Sequence, residues 1–570
     1  MSGARCWAQS PSDDSGSLHG IVINSVTREP IARALVSSPD NRFATLTNSE
    51  GQFEFSLPTA DPPPEGASDS GPVPGRLRPS SNRPYSLVAR KPGFLADPNN
   101  QGNKLQNRTS KELTLALTPE ALIVGTVTLS TAETPDPITL QIFRRDVQDG
   151  RAHWAQTGSA QSTSDGQFRF ANLPAGTYKL LTNELLDRDP LTSDPLAADA
   201  RGPLFGYPPV YYQNAPDFAS AGTIPVAAGQ TQTVSLSLAR QPYYRVKVPV
   251  IMPMSEGQEN GVNVSVYANG HKGPGFSLGY NNVHHAIEGM LPSGTYTIEA
   301  STFGNNGLTG IHTIAVKGAP IDGPAIALTG HSLIPVYVKE EFTSDDHTGA
   351  ATFAVNGRSP ATNGPRRYLN VTLESADDFG VKQNVSLREP TGPQDDALVI
   401  EGASVGSYWV RVRSSRGYAA SIRSGNLDLQ HRPLIVGAGG GAAPIEITLR
   451  DDTVEISGTV EGIAQPAQGP GGASAAAGPS RAHVYCVPLA DSSGQFAESW
   501  VHPDGTFDAQ GLAPGAYRVL AFDGDPREFE YRNPEAMQPY ESKGSVVRLA
   551  GGQKERVQLQ LVSTSPSGND

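Results

Sequence analysis

Short runs along the chain alternate apolar and polar residues with a strict period of two. Examples are Leu18-His-Gly-Ile-Val-Ile, Glu112-Leu-Thr-Leu-Ala-Leu, Thr233-Val-Ser-Leu-Ser-Leu, Glu455-Ile-Ser-Gly-Thr-Val and Arg556-Val-Gln-Leu-Gln-Leu. A period of two places one face of a strand inward and the other outward. Many such strands are satisfied by packed antiparallel sheets. A period near 3.6 is almost absent. The exception is Asn533-Pro-Glu-Ala-Met-Gln, where Asn533 is placed to cap a short helix and Pro534 to occupy its first turn.

The strands recur in a fixed frame. Ser164-Asp-Gly-Gln-Phe-Arg-Phe leads through Leu-Pro-Ala-Gly to Tyr178, and Pro503-Asp-Gly-Thr-Phe leads through Leu-Ala-Pro-Gly to Tyr517. Weaker copies end at Tyr296 and Tyr408. A fifth begins at Ser49-Glu-Gly-Gln-Phe-Glu-Phe and reaches Tyr85 only after an insertion. Successive tyrosines from Tyr178 to Tyr517 lie 118, 112 and 109 residues apart, the size of one β-sandwich. The frame reads as a positive-φ turn at Asp-Gly or Glu-Gly, a strand, a corner and a second strand. It predicts an all-β string of about five sandwich domains over 17–118, 121–240, 242–330, 331–451 and 453–563. Residues 1–16 read as a disordered tail, and joints fall near 119, 241, 331 and 452. Thr59–Arg83, Leu185–Tyr212 and the low-complexity Gly469–Ser480 read as flexible loops.

Composition narrows the class. Sixty glycines and 48 prolines in 570 residues, with only 18% charged, fit a turn-rich β protein and exclude a coiled coil. The net charge of −13 argues against a nucleic-acid partner. Two cysteines, Cys6 and Cys486, exclude a disulfide scaffold or a cysteine-rich zinc module. No apolar run approaches the length of a transmembrane helix. Ala4-Arg-Cys-Trp-Ala-Gln-Ser10 resembles a signal-peptide cleavage region without its apolar core, so an upstream start and a mature terminus near Gln9–Ser17 are expected.

Gly20-Ile-Val-Ile-Asn-Ser-Val-Thr-Arg-Glu-Pro-Ile-Ala-Arg-Ala-Leu-Val36, Thr47-Asn-Ser-Glu-Gly-Gln-Phe-Glu-Phe55 and Ala89-Arg-Lys-Pro-Gly-Phe94 resemble the carboxypeptidase regulatory-like domain family. The resemblance is fullest over 17–118, then 121–240 and 453–563. It implies Ig-like or transthyretin-like sandwiches, grouped with carbohydrate-binding-like folds and found in bacterial envelope proteins. From it come the expectations of a secreted, periplasmic or outer-surface location and of a glycan or envelope-protein ligand.

Candidate chemistry is sparse. His285-Ala-Ile-Glu288 has the His-x-x-Glu spacing of a zinc pair, and His483-Val-Tyr-Cys486 a similar one. Residues three apart on a strand face opposite ways, so neither suits one metal. Asp345-Asp346, Asp377-Asp378, Asp395-Asp396 and Asp451-Asp452 are weak candidates for calcium. No nucleophile motif precedes a helix. Catalytic residues, metal ligands and cofactors are therefore all assigned as none. Tyr207, Tyr211 and Tyr212, in Phe205-Gly-Tyr-Pro-Pro-Val-Tyr-Tyr212, are the candidate ligand-binding residues, as a sugar-stacking or partner-anchoring platform. The alternative is an edge strand with the rings capping a sandwich end. The expected function is a non-catalytic structural or binding role, set against an accessory region of, or a divergent, extracellular peptidase or glycosidase.

Overall fold

The computed structural model describes residues 17–563 apart from 39–43, 57–86, 97–111, 131–136, 187–203, 254–260, 303–306, 331–332, 344–351, 359–365, 380–383, 393, 438–440, 464–481, 491, 525 and 527–528. The tail, the core of each expected flexible loop, Cys6 and Asp345-Asp346 lie outside the described residues. The chain divides into two compact units. The smaller holds 1–139, 158–178 and 223–236; the larger holds 140–157, 179–222 and 237–570.

The regular structure of the described residues is almost entirely strand. The helix at Pro534–Met537 forms where the sequence placed it: the Asn533 side chain accepts from the Glu535 amide and Pro534 opens the first turn. In the smaller unit, one sheet runs in the order Gln52–Ser56, Ser17–Asn24, Glu112–Pro119, Phe94–Ala96. A second runs Ala44–Leu46, Leu35–Ser37, Val88–Arg90. Val22, Ile31, Val36, Phe53, Leu115 and Leu117 form the core between them. In the larger unit, comparable cores are built from residues 246–328, 334–449 and 454–559.

Pairing is mostly antiparallel, and one parallel pairing recurs. Ser17–Asn24 runs parallel to Glu112–Pro119, Ile334–Glu341 to Ile445–Arg450, and Val454–Glu461 to Lys554–Val562. In each pair the returning strand lies beside the opening strand and runs in the same direction, which strand patterning alone does not reveal. Closing and opening strands follow one another almost directly: Glu112–Pro119 precedes Ala121–Leu129, and Ile445–Arg450 precedes Val454–Glu461.

Two contacts explain the repeat. The first is a tyrosine corner. The hydroxyl of Tyr178 donates to the Pro174 carbonyl, Tyr296 to Pro292 at 3.0 Å, Tyr408 to Ser404 at 2.9 Å, and Tyr517 to Ala513. In these four copies the acceptor lies four residues upstream, so the ring folds back over the Gly-x-Tyr turn and satisfies a carbonyl that the turn would otherwise bury. The second is a glycine–phenylalanine pair. Gly20 faces Phe53, Gly125 faces Phe168 and Gly458 faces Phe507 across adjacent strands. A Cβ on Gly458 would lie 1.9 Å from the Val557 carbonyl oxygen and 2.9 Å from the Phe507 ring. The ring occupies the space a side chain would take. Where the opening strand of the third copy carries Val246 instead, the glycine stands on the partner strand as Gly289.

Candidate functional site

Several strands break the alternation. Residues 178–182, Tyr-Lys-Leu-Leu-Thr, are all buried, as are residues 519–522, Val-Leu-Ala-Phe. Consecutive buried residues mean that both faces of the strand are covered. In the larger unit those outer faces carry the densest polar and aromatic chemistry of the described residues.

The first covered face gathers Phe143, Trp154, Leu181, Tyr211, Phe218 and Ala221, with Phe379 packed against them. Phe218 meets Phe143 edge-on at 4.9 Å and Phe379 at 5.0 Å between centroids. Lys179, on the outward side of its strand, is 4% exposed. Its ammonium donates to the Phe218 and Ala219 carbonyls, both at 2.8 Å, and lies 4.8 Å above the Trp154 ring. Burial lowers its pKa, an effect Asp378 and Asp217 oppose. The Trp154 amide donates to the Asp378 carbonyl at 2.6 Å.

The second covered face belongs to the C-terminal sandwich. Tyr485, Val487, Leu520 and Phe522 are roofed by Phe529 and Tyr531 from the segment that also carries the helix. Tyr531 stacks on Phe496 at 3.9 Å with the planes 6° apart. Its hydroxyl donates to Asp149, at the tip of the hairpin joining Thr139–Gln148 to Arg151–Gln161. Asp149 and Gly150 both have positive φ, 51° and 69°. A Cβ on Gly150 would lie 2.7 Å from the Tyr531 ring, so only glycine lets the tip lie flat on it.

Asp149 is the hub of this contact. Arg532 reaches it at 3.1 Å, Arg411 at 2.8 Å and Arg151 at 3.6 Å. Arg411 also donates to Glu374 at 2.8 Å, and Arg145 pairs with the buried Glu530. The Arg151 guanidinium lies 3.7 Å above the Trp409 ring. Burial, then the neighbouring Arg532, push its pKa down to about 10, so it stays charged at neutral pH. Each charge is tied to another part of the chain. The arrangement joins segments; it presents no nucleophile with a base.

The same holds for Ser220, Asp217 and His271, which have the residue types of a hydrolytic triad. Ser220 Oγ donates to Asp217 at 2.6 Å, and His271 Nδ1 lies 2.9 Å from the other Asp217 oxygen. Serine and histidine both contact the carboxylate and not each other, so no base acts on the hydroxyl. Burial works to raise the pKa of Asp217, but these bonds outweigh it and bring it down to about 2.

The tyrosine candidates are separated. Tyr211 is 4% exposed and packs in the Phe143–Trp154–Phe218 cluster, its hydroxyl donating to Pro274 at 2.7 Å. Tyr207 and Tyr212 are half-buried, and Phe205 is covered by the Arg240 guanidinium at 4.5 Å.

The metal candidates are also drawn into local bonds. Glu288 is held by Asn281, His284 and Lys247, while His285 contacts the Tyr280 hydroxyl. Cys486 faces the C-terminal core, where burial pushes its thiol up to about 12, whereas His483 faces Glu498 on the other side. Asp377 pairs with Lys272, Asp395 with Arg388, Asp451 with Arg416, and Asp452 with Arg450. No group of three or more metal-ligating side chains occurs among the described residues.

Fold and contacts define an all-β, multidomain sandwich protein. No family model matches the chain, and no curated protein matches it. Among solved structures, the TIE protein of Bacillus anthracis is 14% identical over 55% of this chain and 49% of that one, with a TM-score of 0.15. A streptococcal ancillary pilin is 10% identical over 55% of this chain and 99% of its own, at 0.17. Two B repeat units of the collagen binding protein of Staphylococcus aureus are 13% identical over 76% of this chain and 99% of theirs, at 0.13. This chain thus spans about half of the Bacillus anthracis protein. At such scores these likenesses bear on neither fold nor function.

Lys179 and Asp149 were missed by sequence reasoning. Asp149-Gly150 reads as an ordinary hairpin turn, and nothing local tells that a distant tyrosine lies over it. Lys179 had a signal: Leu180-Leu181 interrupts the alternation and marks a strand covered on both faces.

Proposed function

We propose that this chain is a non-catalytic, exported β-sandwich protein, secreted or envelope-associated. Its domains, divided at 17–118, 121–240, 242–330, 331–451 and 453–563, serve to hold and present a binding surface for a glycan or an envelope protein. The observation that carries this reading is the Asp149 hub and the ion pairs around it, where four arginines, one tyrosine and three carboxylates join distant segments. Chemistry needs a group poised toward solvent or substrate. These groups are occupied with one another, as in a protein whose task is to keep parts in place. The resemblance of the first domain and the residues at 4–10 support the export reading.

The test is an assay of the purified protein against peptide and glycan hydrolysis panels with metal analysis, alongside a glycan array and capture of envelope fractions. Turnover or stoichiometric zinc would overturn the non-catalytic reading. Peptide mapping of the native protein is expected to find its first residue near Gln9–Ser17. An intact Met1 in the cytosolic fraction would remove the export reading.

A further inference from the structure

We infer that Trp500 and Glu498, on the Ala497–Trp500 strand, form a binding site for an amino-sugar-bearing glycan. The inference rests on the binding-protein reading and names a place for it. Trp500 is 62% exposed, whereas Trp154 is 6% exposed and Trp409 lies beneath Arg151. An exposed indole offers a flat apolar ring face to a ligand. It is also held in place. The strand pairs His483 with Trp500, and the His483 ring lies 4.1 Å from the indole, tilted by 45°. His483 is itself 8% exposed and stacks on Tyr485 with the planes 17° apart.

Two residues back, on the same face, stands Glu498. Its Oε1 is engaged by His483 Nδ1 at 2.6 Å and by the Tyr485 hydroxyl at 3.5 Å. The carboxylate is therefore oriented, and 43% of its side chain is exposed to solvent. An apolar ring face beside an oriented anion suits a ligand with a flat hydrocarbon face and an adjacent ammonium. A glucosamine unit has both. A neutral sugar would use the indole but not the charge, and the net charge of −13 favours a cationic polymer at long range.

The test uses the full chain and isothermal titration with a β-1,4-linked glucosamine hexasaccharide. Its N-acetylated counterpart and hexalysine serve as comparisons. The glucosamine hexamer is expected to bind and to change tryptophan emission. Trp500→Ala is expected to abolish binding, and Glu498→Gln to weaken it about tenfold, both with unchanged circular dichroism and melting. The N-acetylated hexamer is expected to bind about tenfold more weakly than the amine. No binding of the glucosamine hexamer, or binding unaffected by either substitution, overturns the site. Hexalysine binding as tightly through the same two residues would assign it to a basic peptide instead. A glycan array separates the two claims. Glycans captured equally by the native chain and Trp500→Ala remove this site but keep the binding-protein reading, and capture of no ligand by the native chain removes both.

Discussion

Gly458→Ala should unfold the C-terminal sandwich far more readily, although alanine at an ordinary strand glycine is neutral or helpful. The usual gain, about 0.4–1 kcal/mol, comes from a less flexible unfolded chain. Here the new Cβ would sit 1.9 Å from the Val557 carbonyl oxygen and 2.9 Å from the Phe507 ring. Carbon–oxygen contacts rarely close below about 3.3 Å. Relief requires the parallel partner, Lys554–Val562, to move by more than an ångström, or Phe507 to leave a position where it is 2% exposed. Overpacking of this kind costs about 1–3 kcal/mol, and each strained ladder hydrogen bond about 1 kcal/mol more. The net expectation is a destabilisation of about 2–4 kcal/mol. Hydrogen exchange by mass spectrometry should show it as faster exchange in 454–461 and 554–562, with calorimetry reporting a lower transition for that region. Gly392→Ala, with nothing within 4 Å of its Cβ, is the control and should leave both unchanged. A Gly458→Ala protein as stable as the parent would refute the glycine–phenylalanine pairing as the basis of the repeat.

Tyr517→Phe removes the corner bond to Ala513 and leaves the Gln495 amide, which donates to the same hydroxyl at 3.1 Å, without its acceptor. A loss of about 1–3 kcal/mol is expected in chemical denaturation of the same region. Asp217 is ionised well below the usual carboxylate range when folded, so its bonds contribute stability that is complete above about pH 4 and disappears as pH falls toward 2. Melting temperature of the parent should fall over that interval by an amount that Asp217→Asn abolishes, corresponding to about 2 kcal/mol; parallel curves would show the contact to be idle. Lys179→Met keeps the length of the buried stem but strands the Phe218 and Ala219 carbonyls, and a loss of about 1–3 kcal/mol is expected in calorimetry.

Turns and corners were legible because their chemistry is local. Gly51, Gly166 and Gly505 carry the positive φ that Glu-Gly and Asp-Gly foretell, and Asn533-Pro534 caps and opens its helix. Tyr178, Tyr296, Tyr408 and Tyr517 stood out through spacing, and the bond four residues upstream gives that spacing its cause. What escaped depends on residues far apart in sequence. Parallel closure needs knowledge of where the last strand returns. Tyr211 looks like a surface aromatic until Phe218, Phe379 and Pro274 are known to surround it. Lys179 belongs on an outer face by alternation, and that face is covered by segments the alternation cannot name.

Charged groups in the larger unit hold its parts together. Spin labels at Gln148→Cys and Glu541→Cys, both exposed positions, report the distance between the hairpin tip and the segment carrying Tyr531. A Cys6→Ser background suffices, because Cys486 is buried and its thiol resists labelling. Pulsed electron resonance should give one narrow distance distribution in the chain with Asp149 intact, broadened by Asp149→Ala, since removal of one partner from a buried charge cluster costs about 3–5 kcal/mol. A broad distribution with Asp149 in place would show that these charges do not fix the hairpin tip against the Tyr531 segment.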